Sequence, residues 1–331
     1  MEQHEPQYQN KNILITGGLG FIGSNLAIKL VDLGANVLIV DSLHPECGGN
    51  IFNIQPIKDK TTVKISEIQN HNLLPEFVKN KDYIFNLVGQ VSHIDSLKNP
   101  LVDLEINCQS HLALLEACKK HNRGAKIVYS CTRQIYGRPQ YLPVNEKHPI
   151  CPIDVNGINK IAGEFYHFLY EKLYGIATTS IRLTNTYGPR QLVKHNRQGF
   201  IGWFIRQAIE GREITIFGDG SQVRDFNYID DVVDALLLAG TRGEANGEAF
   251  NPGAEKHYSL LDFTKILLKI SGGGSFHFIP FPLELLNIDI GNYWGDYKKI
   301  STTLGWQPRV SLEEGLAKTV EYYRLNQKYY W

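Results

Sequence analysis

A doubly wound α/β fold, with a parallel sheet covered on both faces and a smaller α/β unit appended, is predicted by three features of this 331-residue chain. Short apolar runs alternate with amphipathic stretches through the first half, the first run passes through clustered glycines into a helix, and the composition changes after Leu183. In order, strands are expected at 12–16, 36–41, 61–65, 83–87, 126–130 and 178–183, and helices at 21–33, 73–78, 101–121, 156–174 and 199–210. That rhythm is β-α-β, which demands parallel strands with helices on the faces. Beyond Leu183, Gly and Pro punctuate shorter elements around 187–190, 217–221, 251–254 and 271–275. The stretch 228–238 starts acidic and continues apolar at helical spacing, so it is expected to pack back on the sheet. The domain reading is therefore 1–183 plus the returning segment 222–250, interleaved with a substrate-facing part at 184–331.

Composition excludes several classes. With 43% apolar residues the chain can bury a large core, and 34 basic against 34 acidic residues leave no global field for nucleic acid or an anionic membrane. Any anionic ligand has to be held locally. The polar opening MEQHEPQYQNKN and the lack of an apolar run of about 18 residues predict a soluble, cytoplasmic protein with no membrane partner. Cys47, Cys108, Cys118, Cys131 and Cys151 are odd in number and lack CxxC spacing, so neither a disulfide framework nor a metal site is expected, and most read as small buried residues.

The first strand runs into Gly17-Gly18-Leu19-Gly20-Phe21-Ile22-Gly23 and then a helix. Glycines let the backbone turn sharply and come close to a pyrophosphate, while the helix start offers free N–H groups and the positive dipole end. Asp41, closing the second strand, stands where a carboxylate meets adenosine ribose hydroxyls and repels a 2′-phosphate, which favours NAD over NADP; the alternative for Asp41 is a turn cap. Glu67 and Ile68 after the third strand are placed beside the adenine. The turn, helix and acidic strand end together make the predicted first domain Rossmann-type.

Together with Asn86-Leu87-Val88-Gly89-Gln90, Asn107, SCTRQIYG at 130–137, Lys160 with Glu164, RLTNTYGP at 182–189, FGDGSQVRDFNYIDD at 217–231 and LGWQP at 304–308, the GxxGxxG turn resembles the extended short-chain dehydrogenase/reductase family of nucleotide-sugar epimerases and dehydratases. The segment 191–203 and the turn Gly89-Gln90-Val91 are similar to nucleotide-sugar 2-epimerases of the tyvelose type. The resemblance implies NAD as cofactor, a nucleoside-diphosphate sugar as partner, and a homodimer built through the helices at 101–121 and 156–174. It also implies that Lys160 anchors the nicotinamide ribose, that Thr132 hydrogen-bonds the reacting hydroxyl, and that Asn185 and Arg224 hold the diphosphate. For Arg224 the alternative is an ion pair with Asp225 or Asp230.

One position breaks the pattern. The family's catalytic tyrosine, four residues before the lysine, is Asn156 here, and a carboxamide is no proton base near neutral pH. Three readings stay open: another residue supplies the base, the protein binds NAD and a sugar nucleotide without turnover, or the chain carries a Tyr-to-Asn substitution. His93 is the first candidate base, with Tyr136, Cys131 and Tyr187 behind it. Where the family's dehydratases carry an Asp-Glu pair, this chain has Arg133 and Gln134, which together with Tyr136 are assigned to the sugar. Without those carboxylates, epimerisation through a transient keto sugar is favoured over dehydration or decarboxylation. A reductase is the remaining alternative.

Overall fold

A computed structural model describes residues 5–44, 47–70 and 72–331. The central sheet has the order β10 (Glu248–Phe250), β6 (Thr178–Leu183), β5 (Lys126–Thr132), β4 (Tyr83–Asn86), β1 (Asn12–Thr16), β2 (Asn36–Asp41) and β3 (Thr62–Ile65), every pairing parallel. The chain leaves β1 in one direction toward β2 and β3 and returns to its other side through β4, β5 and β6. The order therefore reverses between β1 and β4, which opens a crevice at the carboxyl ends of those strands.

Strand residues alternate between the two faces, as the period of two requires. Ile13, Ile15, Ile39, Phe85, Val128 and Ile181 pack into one core, while Leu14, Val40, Ile84 and Ile127 pack into the other. The first core is covered by α1 (Phe21–Asp32) and by a long apolar helix at Ile229–Thr241, whose residues are almost all buried, from Ile229 and Val232 to Ala239. That helix touches β5, β6 and α1, and β10 follows it into the sheet. So the 228–238 stretch does return, and with it comes a strand that the sequence reading did not name.

Two further expectations are corrected. The stretch 101–121 is helical throughout but not regular: after a separate α2 (His93–Lys98), α3 (Pro100–Leu104), a π turn at Glu105–Gln109 and α4 (Ser110–His121) follow one another without a break. The segment after β4, outside the strands and helices expected from the sequence, forms α2, which Ser92 caps, its hydroxyl accepting from Asp95 N at 3.1 Å. α5 (Val155–Tyr174) begins on the carboxylate of Asp154, which accepts from Gly157 N, and stops at Gly175 in the left-handed region at φ 67°. Past β6 the chain builds two small sheets, β11 (His257–Ser259) with β9 (Val223–Tyr228) and β7 (Asn185–Tyr187), and β12 (Phe276–Ile279) with β8 (Ile214–Phe217); Asn185, Thr186 and Arg224 of the first line the crevice. Among the described residues no helix is long and apolar enough to cross a membrane.

Candidate active site

The crevice is a cleft of about 450 Å³ that runs from the glycine turn to Arg224. Gly17 turns at φ 69°, and Gly17, Gly20, Phe21, Ile22 and Gly23 line one end. A Cβ on Gly23 would stand 2.3 Å from the Gly17 carbonyl oxygen, and one on Gly18 2.6 Å from the Ile39 side chain, so the glycines are what lets strand, turn and helix meet. Gly20 starts α1 without a side-chain cap, which leaves first-turn N–H groups for an anion. Asp41 lines the same end, and its two oxygens accept from Leu19 N at 3.0 Å and Leu43 N at 2.8 Å. Burial raises its pKa against those two bonds. Hence Asp41 is both a turn anchor and a cleft residue. Glu67, exposed, and Ile68, buried, line this end too.

At the middle of the cleft stands Lys160, on the inner face of α5. Its Nζ lies 3.4 Å from Ser130 O, and a Cβ on Gly89 would approach it to 2.6 Å, so the residue after Val88 has to be bare for the amine to fit. Burial lowers the lysine pKa, with Cys131 and Asp103 opposing. Thr132 closes β5 on the cleft, its Oγ1 accepting from Gln134 N at 3.3 Å. Asn156 lines the cleft as well, but its NH2 donates to Gln90 O at 2.7 Å and to Asp103 Oδ2 at 3.2 Å. The buried Asp103 carboxylate also accepts from Asn107 at 3.0 Å and from Asn159 at 2.8 Å. The NH2 group of Asn156 is thus engaged in a structural network.

His93 begins α2 and faces the cleft beside these groups. Its Nδ1 sits 2.7 Å from Asp154 Oδ2, a side chain only 1% exposed, while the imidazole keeps 34% exposure. Asp154 also accepts from Gly157 N at 2.6 Å and from Gln134 Nε2 at 3.3 Å. Burial pushes its carboxyl up, but the His93, Gly157 and Gln134 hydrogen bonds outweigh this and hold it below the usual aspartate range. With Nδ1 bound to a carboxylate, the second ring nitrogen is the one left to exchange protons.

The far end is cationic. Arg224, on β9, donates through Nη1 to Val223 O and Gly291 O, and its Nη2 lies 3.4 Å from Asp289, not from Asp225 or Asp230. Burial lowers its pKa to about 10, with Arg133 adding repulsion. Asn185 donates to Asp225 O at 2.9 Å, and Arg133 lies over the Tyr293 ring at 5.5 Å; both line the cleft. Among the described residues no group of three His, Cys, Asp or Glu side chains is arranged to hold a metal ion.

Residues 13–253 match the NAD dependent epimerase/dehydratase family. The chain belongs to that family. Among members, it is 34% identical over 315 residues to a UDP-glucose 4-epimerase of Mycolicibacterium smegmatis, covering 94% of this chain and 98% of the relative. It is also 30% identical over 338 residues to a CDP-paratose 2-epimerase of Salmonella typhi, covering 94% and 98%. A crystal structure of UDP-glucose 4-epimerase with UDP-glucose, from Thermotoga maritima, superposes with a TM-score of 0.86 at 34% identity, covering 96% of this chain and 99% of that one.

Within this epimerase/dehydratase frame, three sequence assignments do not reach the cleft. Tyr136 is fully buried, with its hydroxyl accepting from Arg182 at 2.7 Å and donating to Asn251 at 2.8 Å. Gln134 is buried beside His93 and Asp154. Tyr187 is buried with its hydroxyl on the Leu312 carbonyl at 3.4 Å. Burial pushes both tyrosines up, and likewise the Cys131 thiol, which does line the cleft, so none of the three suits proton removal. Glu164 is taken up by a buried ion pair with Arg182 at 2.5 Å. In the segment 191–203, Gln191, Leu192, Gln198 and Gly199 line the cleft, whereas Arg197 lies 3.5 Å from Asp95. Asp154 and Asp103 were missed by the sequence reading. An Asp before an apolar helix signals a cap, but nothing local reveals which histidine or asparagines it meets.

Proposed function

We propose that this chain is a NAD-dependent epimerase of a nucleoside-diphosphate sugar, working through a transient keto sugar. What carries the reading is that Lys160 and His93, the latter backed by Asp154, line the same cleft as the glycine turn, so the cleft offers a proton base although the tyrosine position is Asn156. The glycine turn and α1 would hold the pyrophosphate of NAD, Asp41 the adenosine ribose and Lys160 the nicotinamide ribose. NAD, when bound, supplies a hydride acceptor that can return the hydride to the opposite face of the sugar carbon. His93 takes the hydroxyl proton and gives it back, Asp154 fixes its tautomer and steadies the imidazolium, and Thr132 donates a hydrogen bond at the same hydroxyl. Arg224 and Asn185 hold the diphosphate. The absence of carboxylates at Arg133 and Gln134 supports epimerisation over dehydration and decarboxylation.

The test is incubation with NAD and a panel of nucleotide sugars in deuterated water, read by NMR and mass. A new epimer is the expected result; stoichiometric oxidation of NADH in a parallel incubation supplied with it would instead mark a reductase. One observation favours a second reading: the Asn156 amide is tied to Gln90 and Asp103, as a purely structural residue would be. On that reading the protein binds NAD and a sugar nucleotide without converting it, and the same incubation gives binding with no product.

A further inference from the structure

The cleft holds one cation more than the proposed chemistry consumes. Lys160 is assigned to the nicotinamide ribose and Arg224 to the diphosphate, and Arg224 is already braced by two backbone carbonyls and Asp289. Arg133 has no such brace. It lines the cleft directly after Thr132, its Nε is enclosed with no hydrogen-bond partner, and no ion pair ties it down among the described residues; its guanidinium lies over the face of the Tyr293 ring at 5.5 Å. The nearest carboxylates are occupied elsewhere. Asp225 accepts from Thr184 Oγ1 and from Gly295 N at 2.9 Å, and Asp289 pairs with Arg224.

An enclosed guanidinium N–H without an acceptor costs free energy unless a ligand supplies the acceptor. Burial and the nearby Arg224 disfavour a second positive charge here, and Asp225 and Asp289 offset this only from a distance. A planar donor fork suits a two-oxygen acceptor, carboxylate or phosphate; with the diphosphate assigned to Arg224, a carboxylate is the acceptor left for Arg133. Arg133 follows the residue assigned to the reacting hydroxyl, whereas Arg224 belongs to β9 in the smaller unit, so two guanidinium groups carried by different elements meet at this end of the cleft, near enough to repel each other.

Resting on the nucleotide-sugar reading above, we propose that Arg133 is a specificity residue that pairs with a carboxylate on the sugar, so that the substrate class is an acidic nucleoside-diphosphate sugar of the uronic-acid type. The position that carries an acid in dehydratases here carries its counter-charge.

Calorimetric titration of the NAD-loaded full chain with UDP, UDP-glucose and UDP-glucuronic acid tests this, because the two sugars differ only in the carboxylate at C6. The wild type is expected to bind UDP-glucuronic acid at least tenfold tighter than UDP-glucose. Arg133→Gln is expected to bring that ratio to about one while UDP affinity stays within twofold, and Arg133→Lys to restore part of the ratio. Unchanged NAD binding and melting temperature in Arg133→Gln show that the fold is intact. A wild-type ratio near one overturns the proposal. So does an equal weakening of all three ligands in Arg133→Gln, which makes Arg133 a second diphosphate ligand. If none of the three binds the wild type, and neither do CDP, dTDP or their glucose conjugates, while NAD does, the nucleotide-sugar reading itself fails.

Discussion

Asp154 does two jobs with one carboxylate: one oxygen caps α5 through Gly157 N and the other holds His93. The hold on His93 depends on its charge, and this gives the pair a measurable signature. A carboxyl that is more acidic folded than unfolded adds stability above its unfolded pKa and loses it as pH falls through the folded value. For Asp154, held below the usual aspartate range by His93, Gly157 and Gln134, that window lies below about pH 4. Thermal melts of the wild type should therefore fall more steeply in that window than those of Asp154→Asn, which keeps a cap but not the charge. At neutral pH Asp154→Ala should cost about 1–2 kcal/mol by denaturant titration, as lost caps do. His93→Gln should lower kcat by about 10²–10⁴-fold with NAD affinity unchanged, the range for a missing general base; activity within threefold of wild type would remove His93 from the mechanism. Asn156→Tyr strips Asp103 of a donor and is expected to bring no gain in turnover. A large gain would show that the site is one that lost its tyrosine.

At the level of elements, the junction of β1, the glycine turn and α1 has the least slack. Gly23→Ala places a methyl 2.3 Å from the Gly17 carbonyl, closer than any real contact, so the turn has to shift. The expected result is at least a tenfold loss of NAD affinity by fluorescence titration, with destabilisation of about 1–3 kcal/mol, as for an overpacked core. The π turn at Glu105–Gln109 is the second such junction. It carries Asn107, which donates to Gln90 O at 2.9 Å and to Asp103 Oδ2 at 3.0 Å, so the extra residue in the turn serves the network that also binds Asn156.

For the whole molecule, α5 shows an apolar stripe to solvent: Ile158, Phe165, Leu169 and Leu173 are 53%, 53%, 44% and 58% exposed, at spacings of seven, four and four residues. Leu97 and Leu101 are exposed on the neighbouring short helices. Such a face marks an interaction surface rather than ordinary core, and the proposed homodimer would bury it. Phe165→Glu should accordingly shift sedimentation from dimer to monomer without lowering NAD affinity. A wild type that sediments as a monomer would refute the dimer.

The periodic strands, the glycine turn and the motif order were legible in the residues themselves, because a buried parallel strand, a tight turn and a helix start each impose local demands that side chains within a few positions must meet. That is why Gly17, Gly20, Gly23 and Asp41 could be placed on the cleft, whereas Lys160, Thr132, Asn185, Arg224, His93 and Arg133 were placed there by the resemblance of their motifs to the family's. The partners were not legible. Asp154 lies 61 positions from His93, and Asp103 lies 53 from Asn156, so only the folding of α2, α3 and α5 against one another brings each pair within hydrogen-bond reach. Tyr136 and Gln134 went astray for the converse reason: they follow Thr132 directly in sequence, yet the short 3₁₀ turn at Arg133–Tyr136 buries both and leaves Arg133 on the cleft. Chemistry was written in the sequence wherever it depended on the backbone's own conformation; wherever it depended on which distant charge stands opposite, tertiary packing decided it.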